Sequence, residues 1–151
     1  KTLDLNAGQL IDRIGVMLGL SFPCGKELEK LAAACPKFPK AKATLKGADC
    51  CLSGIENICR KAYENGSSKE ETAALCLSYT EKTISAMCAE LLSQYGKLPV
   101  LFAGGVMSDK LIRSRLESRF SAYFAEPEYS ADNAAGIAFL CSRIHSQSRN
   151  I

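Results

Sequence analysis

Carboxylates, hydroxyls and glycines placed just ahead of helices are the residues of this 151-residue chain best suited to chemistry. In open parallel sheets, ligands bind where strands end and the next helices begin. Three stretches fit that rule: Ser53-Gly54, Gly104-Gly105-Val106, and Glu128 to Asn133. The pair Gly104-Gly105 follows the apolar run Leu98 to Ala103 and lets backbone approach a ligand with no Cβ in the way. Exposed N–H groups of the helix behind it suit a phosphate or a nucleotide edge; a plain tight turn is the alternative. Asp132, beside Asn133, is either an N-cap or a carboxylate offered to a metal or substrate from the short polar loop Glu126 to Ser130. Asp12 falls on the polar side of its helix, as a surface carboxylate would. Ser53 has one histidine for company in the whole chain, His145, so a hydrolase triad is poorly supported.

Composition narrows the class. Hydrophobic residues make up 47% and charged residues 23%, which suits one globular α/β unit with a real core and argues against disorder. No apolar run is long enough to span a membrane, and no signal segment is readable; the start at Lys1 fits an excised fragment. A net charge of +3 is mild for a dedicated nucleic-acid binder. Locally, Lys37, Lys40, Lys42 and Lys46 stand in a stretch with no acid between Glu29 and Asp49, as a solvated loop or as a phosphate-contacting edge. The eight cysteines contain no C-x-x-C pair and sit in apolar or helical patterns, so they are expected as reduced, core-filling thiols of a cytoplasmic protein.

The elements that must position these residues follow from periodicity and caps. Leu10, Ile14, Met17 and Leu18 recur at helical spacing, capped by Asn6 or Asp4 and stopped at Gly19. Leu20 to Pro23 is expected extended, and Gly25 opens a short helix to about Ala34. Ala48 to Leu52 suits a strand. Ser53 to Glu56 and Ser68 to Glu71 both read as capping boxes, the second opening a long helix to about Tyr95 with Leu75, Tyr79, Ile84, Met87, Leu91 and Leu92 as its apolar stripe. Leu98 to Ala103 is expected as a strand buried on both faces. Ser108 caps a helix from Asp109 to about Arg119, Ser121 to Ala125 forms a further strand, and Ser130 or Asp132 starts the last helix. Strands separated by helices predict parallel pairing with helical crossovers.

Five segments, in order, then carry a resemblance: GQLIDR (Gly8–Arg13), LGLSFPCG (Leu18–Gly25), LSGIEN (Leu52–Asn57), VLFAGGV (Val100–Val106) and PEYSADNAA (Pro127–Ala135). Together they resemble the tRNA threonylcarbamoyladenosine transferase subunit, formerly known as O-sialoglycoprotein endopeptidase or glycoprotease, over nearly the whole chain. The resemblance implies an actin/Hsp70-like nucleotide-binding fold of which residues 1–151 form a single C-terminal lobe, the partner lobe lying outside this chain. It implies transfer of a threonylcarbamoyl group from its adenylate to N6 of an adenosine beside the tRNA anticodon. By position, Asp12, Gly25 and Asp109 correspond to adenylate-contacting residues, with Gly104 and Gly105 beside them, and Asp132 to a metal-binding aspartate. The implied cofactors are the adenylate nucleotide and a divalent metal, iron or zinc, both requiring the other lobe, which would hold two further histidine ligands. Implied partners are that lobe, a related smaller subunit or a second copy, and tRNA, with no membrane.

The departures from the family pattern matter. The family usually has G-E-A-F-D-K, P-G-G, S-G-L-K-T and G-G-V-x-A-N where this chain has Gln9, Arg13, Cys24, Glu56 and Asp109. Glu56 in place of Lys removes a positive charge, and Asp109 in place of Asn adds a negative one; both oppose an anionic ligand. A non-catalytic paralogue acting as a protein-interaction scaffold is therefore the alternative to the transferase. The older peptidase reading finds no nucleophile–base pair.

Overall fold

The computed structural model of the chain describes residues 1–130 and 134–148. Its first helix, α1 (Ala7–Met17), starts at Asn6, whose N–H donates to the Gln9 side chain at 3.3 Å, and ends before Gly19, which takes φ +85°. α2 (Gly25–Ala33) follows a bend that contains the cis Phe22-Pro23 peptide, so Leu20 to Pro23 is bent rather than extended. A lysine-rich connection leads to a hairpin of β1 (Leu45–Lys46) and β2 (Asp49–Cys50), then to α3 (Ser53–Glu64) and α4 (Lys69–Tyr95). β3 (Val100–Phe102), a 3₁₀ turn at Gly105–Ser108, α5 (Lys110–Glu117), β4 (Ala122–Phe124), α6 (Pro127–Ser130) and α7 (Ala134–Ser148) complete the chain.

The expected parallel crossover is present once. β3 and β4 pair in parallel, with Leu101 opposite Tyr123 and Phe102 opposite Phe124, and α5 is the connection. The strand expected at Ala48 to Leu52 does not join them. It is only two residues long and pairs antiparallel with β1, because the two-residue turn at Gly47-Ala48, with Gly47 at φ +60°, leaves no length for a crossover. Nor is β3 buried on both faces: Phe102 is 6% exposed and stacks on Phe124, whereas Leu101 is 71% exposed.

α4 is the hub against which α1, α2, α3, α5 and the hairpin pack. Its Ser68–Glu71 capping box forms as expected, with both hydrogen bonds made. Its buried surface differs from the expected stripe. Ala73, Ala74, Cys76, Leu77, Ser78 and Thr80 are buried, while Leu75, Tyr79, Ile84 and Met87 are partly buried and Leu91 is exposed. A helix contacted from several sides buries small residues all round rather than large ones on a single stripe.

The cysteines are free thiols, five of them buried; Cys51 and Cys141 are exposed, against the core-filling expectation. Burial pushes the thiols of Cys24, Cys50 and Cys88 up; at Cys76 the hydrogen bond with Cys59 does so first, with burial behind it. Such thiols stay protonated and inert. Among the described residues no helix is long and apolar enough to cross a membrane.

Candidate functional site

The site grows from the meeting of α1 and α2. The Asp12 carboxylate accepts the Cys24 backbone N–H at 2.9 Å, satisfying one of the donors that a helix start leaves without an intrahelical partner. The two helices come this close because Gly15 faces Cys24: a Cβ at Gly15 would lie 2.7 Å from the Cys24 Sγ. Cys24, where the family has glycine, is fully buried. Beside it, Gly25 looks onto open space, with no atom within 4 Å of where a Cβ would stand. Asp12 and Gly25 are thus brought together, and the start of α2 is left open next to them.

A shallow groove of about 580 Å³ runs alongside, lined by Asp12, Arg13, Val16 and Met17 of α1, by Phe22, and by Glu56 and Arg60 of α3. Glu56 sits low in it, its side chain 17% exposed, and binds Arg13 at 2.9 Å and Arg60 at 3.3 Å; those side chains are 58% and 47% exposed. The acid that replaces the family's lysine is therefore neutralised by two guanidinium groups that point outward, and the trio carries one net positive charge. Arg60 escaped the sequence reading, although its i,i+4 spacing from Glu56 was a readable signal. The Ser53–Glu56 capping box does not form, since Glu56 is committed to arginines. Leu52 is the N-cap instead. Asp4 does the capping from a distance, accepting from Leu52 N–H at 2.8 Å, Ser53 N–H at 3.2 Å and Ser53 Oγ–H at 2.6 Å. These bonds, the Ser53 hydroxyl's first, hold the Asp4 carboxyl far below the usual carboxylate range.

The glycine turn lies at the other end of α1. Gly104 adopts φ +110°, a conformation that disfavours side chains, and its N–H donates to Ser130 Oγ at 2.6 Å. A Cβ on Gly8 would be 3.9 Å from Val106, so this turn rests on the first turn of α1. Asp109, not Ser108, caps α5, accepting from Leu111 N–H at 2.9 Å and Ile112 N–H at 3.0 Å. It is 8% exposed, and burial pushes its carboxyl up to about 6, opposed by those N–H donors and aided by the nearby Glu29 charge. Glu29, one turn along α2 from Gly25, accepts Lys110 N–H at 3.1 Å. The start of α5 is thus tied to α2 through Lys110, while the Asp109 carboxylate is committed to the N–H groups of its own helix. Ser130 closes α6, and Asp132 lies outside the described residues. Among the described residues no group of three or more His, Cys, Asp or Glu comes together to hold a metal.

α1 therefore touches both the open start of α2 and the glycine turn. Comparison with known proteins agrees with the segments quoted above. The family model "TsaD: tRNA N6-adenosine threonylcarbamoyltransferase" matches residues 1–139. A relative named tRNA N6-adenosine threonylcarbamoyltransferase, from Thermococcus sibiricus (strain DSM 12597 / MM 739), is 33% identical over 147 residues, covering 92% of this chain and 45% of the relative. The chain spans about half the length of that relative, and it belongs to the tRNA N6-adenosine threonylcarbamoyltransferase family.

Proposed function

We propose that this chain is the C-terminal, adenylate-binding lobe of a tRNA threonylcarbamoyltransferase, the second lobe of an actin/Hsp70-like fold. In the reaction, N6 of an adenosine beside the anticodon attacks the carbamoyl carbon of threonylcarbamoyl-adenylate. A C–N bond forms, the C–O bond to the phosphate breaks, the N6 proton is lost, and adenylate leaves. The observation that carries this reading is the Asp12–Cys24 hydrogen bond, which fixes the start of α2 with Gly25 facing open space beside a groove bearing Arg13 and Arg60.

The roles follow from that geometry. The outward guanidinium groups of Arg13 and Arg60, which Glu56 neutralises only in part, attract the adenylate phosphate. Gly25 admits it closely, Asp12 keeps the helix start in position, and Gly104-Gly105 lies along the same helix α1. The divalent cation that the family implies would be held by Asp132, which lies outside the described residues, together with ligands of the other lobe. The other lobe closes the cleft, in cytoplasm where tRNA is modified.

Calorimetric titration of the adenylate into the protein carrying this chain tests the reading. Asp12→Ala is expected to weaken adenylate binding by about tenfold or more, because the lost Asp12–Cys24 hydrogen bond no longer holds the start of α2 in place. Asp12→Asn, which keeps an oxygen for the Cys24 N–H, is expected to preserve the fold and retain part of the affinity. Absence of nucleotide binding by the unsubstituted protein overturns the transferase in favour of the scaffold.

A further inference from the structure

We infer that the lysine-bearing ribbon between α2 and β2 is an RNA-backbone contact surface. The observation behind it is an alternation. From residue 39 to 46 the chain alternates strictly between partly buried and exposed positions, so Lys40, Lys42 and Lys46 face solvent with Thr44, while Pro39, Ala41, Ala43 and Leu45 face the protein. Lys37, just upstream, is exposed as well. Extended chain that alternates this way sets residues two apart on the same side, about 7 Å from one another. A nucleic-acid backbone carries a phosphate at every nucleotide, so a row of cations can meet a row of anions.

Ordering such a segment costs about 1–2 kcal/mol per residue, which its contacts to the core offset. The ribbon is anchored from several directions. The Pro39 carbonyl accepts the Ser78 hydroxyl of α4 at 2.5 Å. The Phe38 ring lies under the Arg115 guanidinium of α5 at 3.7 Å. Cys35, Phe38 and Leu45 pack against the core. None of the salt bridges among the described residues uses Lys37, Lys40, Lys42 or Lys46, and no acid occurs between Glu29 and Asp49. The outcome is a row of cations presented on a fixed ribbon whose apolar side chains are turned inward. That suits a polyanionic backbone; a lipid surface would call for outward apolar residues to insert.

The choice of tRNA as the partner rests on the transferase reading. The test uses the protein carrying this chain, with Lys37, Lys40, Lys42 and Lys46 all changed to Gln, and fluorescence anisotropy on an unmodified tRNA transcript from 50 to 200 mM KCl. Each phosphate contact contributes about 0.7–0.9 to the slope of log affinity against log salt. The variant is therefore expected to lose roughly 3 units of slope, the equivalent of about 50- to 150-fold across that range, with adenylate binding and melting temperature unchanged. Replacement of the four by Arg is expected to retain the slope. Wild-type affinity and slope in the Gln variant overturn the inference, as does a loss confined to anionic phosphatidylserine vesicles. If the unsubstituted protein transfers threonylcarbamoyl and the Gln variant still binds tRNA normally, the ribbon inference fails and the transferase stands. If binding depends on the ribbon in a protein that takes no nucleotide, the transferase reading fails and the ribbon stands.

Discussion

Asp109 holds a carboxylate where little water reaches it, and its helix-capping bonds only partly offset the burial. In the unfolded chain such a group loses its proton near pH 4; in the folded chain it does so at about 6. Between those values the folded form binds the extra proton, so the group's contribution to stability falls as pH rises through that window and stays lower above it. Asn at this position, the family's usual residue, retains a capping oxygen without the charge. Asp109→Asn is therefore expected to stabilise the protein by about 1–3 kcal/mol at pH 7 and to leave it nearly unchanged at pH 4. Urea denaturation of both proteins at the two pH values checks this; an equal difference at both would mean that the carboxyl does not titrate in that window. Asp4, whose carboxyl is lowered instead, acts in the opposite sense, losing its contribution as pH falls through the acid range. The sequence pointed to Asp109 as a charge change. Its cap on α5 is local and of a type that Asp favours; its burial, 8% exposed, is what residue type alone does not encode.

Helix existence was legible almost throughout because the capping and stop signals are local. Asn6, Gly19, Gly66, Ser68 and Gly96 all stand at helix ends. The Ser53 box failed for a tertiary reason: Asp4 arrives from 48 residues away and supplies the cap. The closeness of α1 and α2 was also unreadable, since a glycine within a helical pattern looks like a flaw until its neighbour is known. Gly15 is that glycine. Gly15→Ala would drive a methyl group into the Cβ and Sγ of Cys24, and both helices are held by backbone, so α2 must shift. A loss of about 1–3 kcal/mol is expected, along with weaker adenylate binding as the Asp12–Cys24 hydrogen bond lengthens. Gly25→Ala, with open space around it, is expected to be neutral or stabilising by roughly 0.5 kcal/mol. Urea denaturation of the two variants measures the contrast; equal losses would mean that helix propensity, rather than the close approach, decides.

Across the whole molecule the parallel pairing of β3 and β4 was predictable, and its one-sidedness was not. A short run of apolar residues reads the same in the sequence whether one face or two are covered. The register puts Leu101 opposite Tyr123 on one side of the two-stranded sheet, and these are 71% and 63% exposed. Leu98 nearby and Ile137, Phe139 and Leu140 of α7 are more than half exposed as well. Large exposed apolar side chains gathered on a sheet attract apolar probes even while the core stays packed. The 151-residue chain is therefore expected to bind anilinonaphthalene sulfonate under native conditions. Leu101→Lys combined with Tyr123→Lys should lower that fluorescence by about half or more, while the melting temperature moves by only a few degrees, since neither side chain is in the core. Phe102→Ala supplies the opposite control: it empties a buried site stacked on Phe124 and should cost about 3 kcal/mol or more. If the double substitution lowers the melting temperature as far as Phe102→Ala does, the outer face of β3 and β4 is packed in solution. If fluorescence is unchanged with the fold intact, the probe binds elsewhere, and α7 becomes the surface to substitute next.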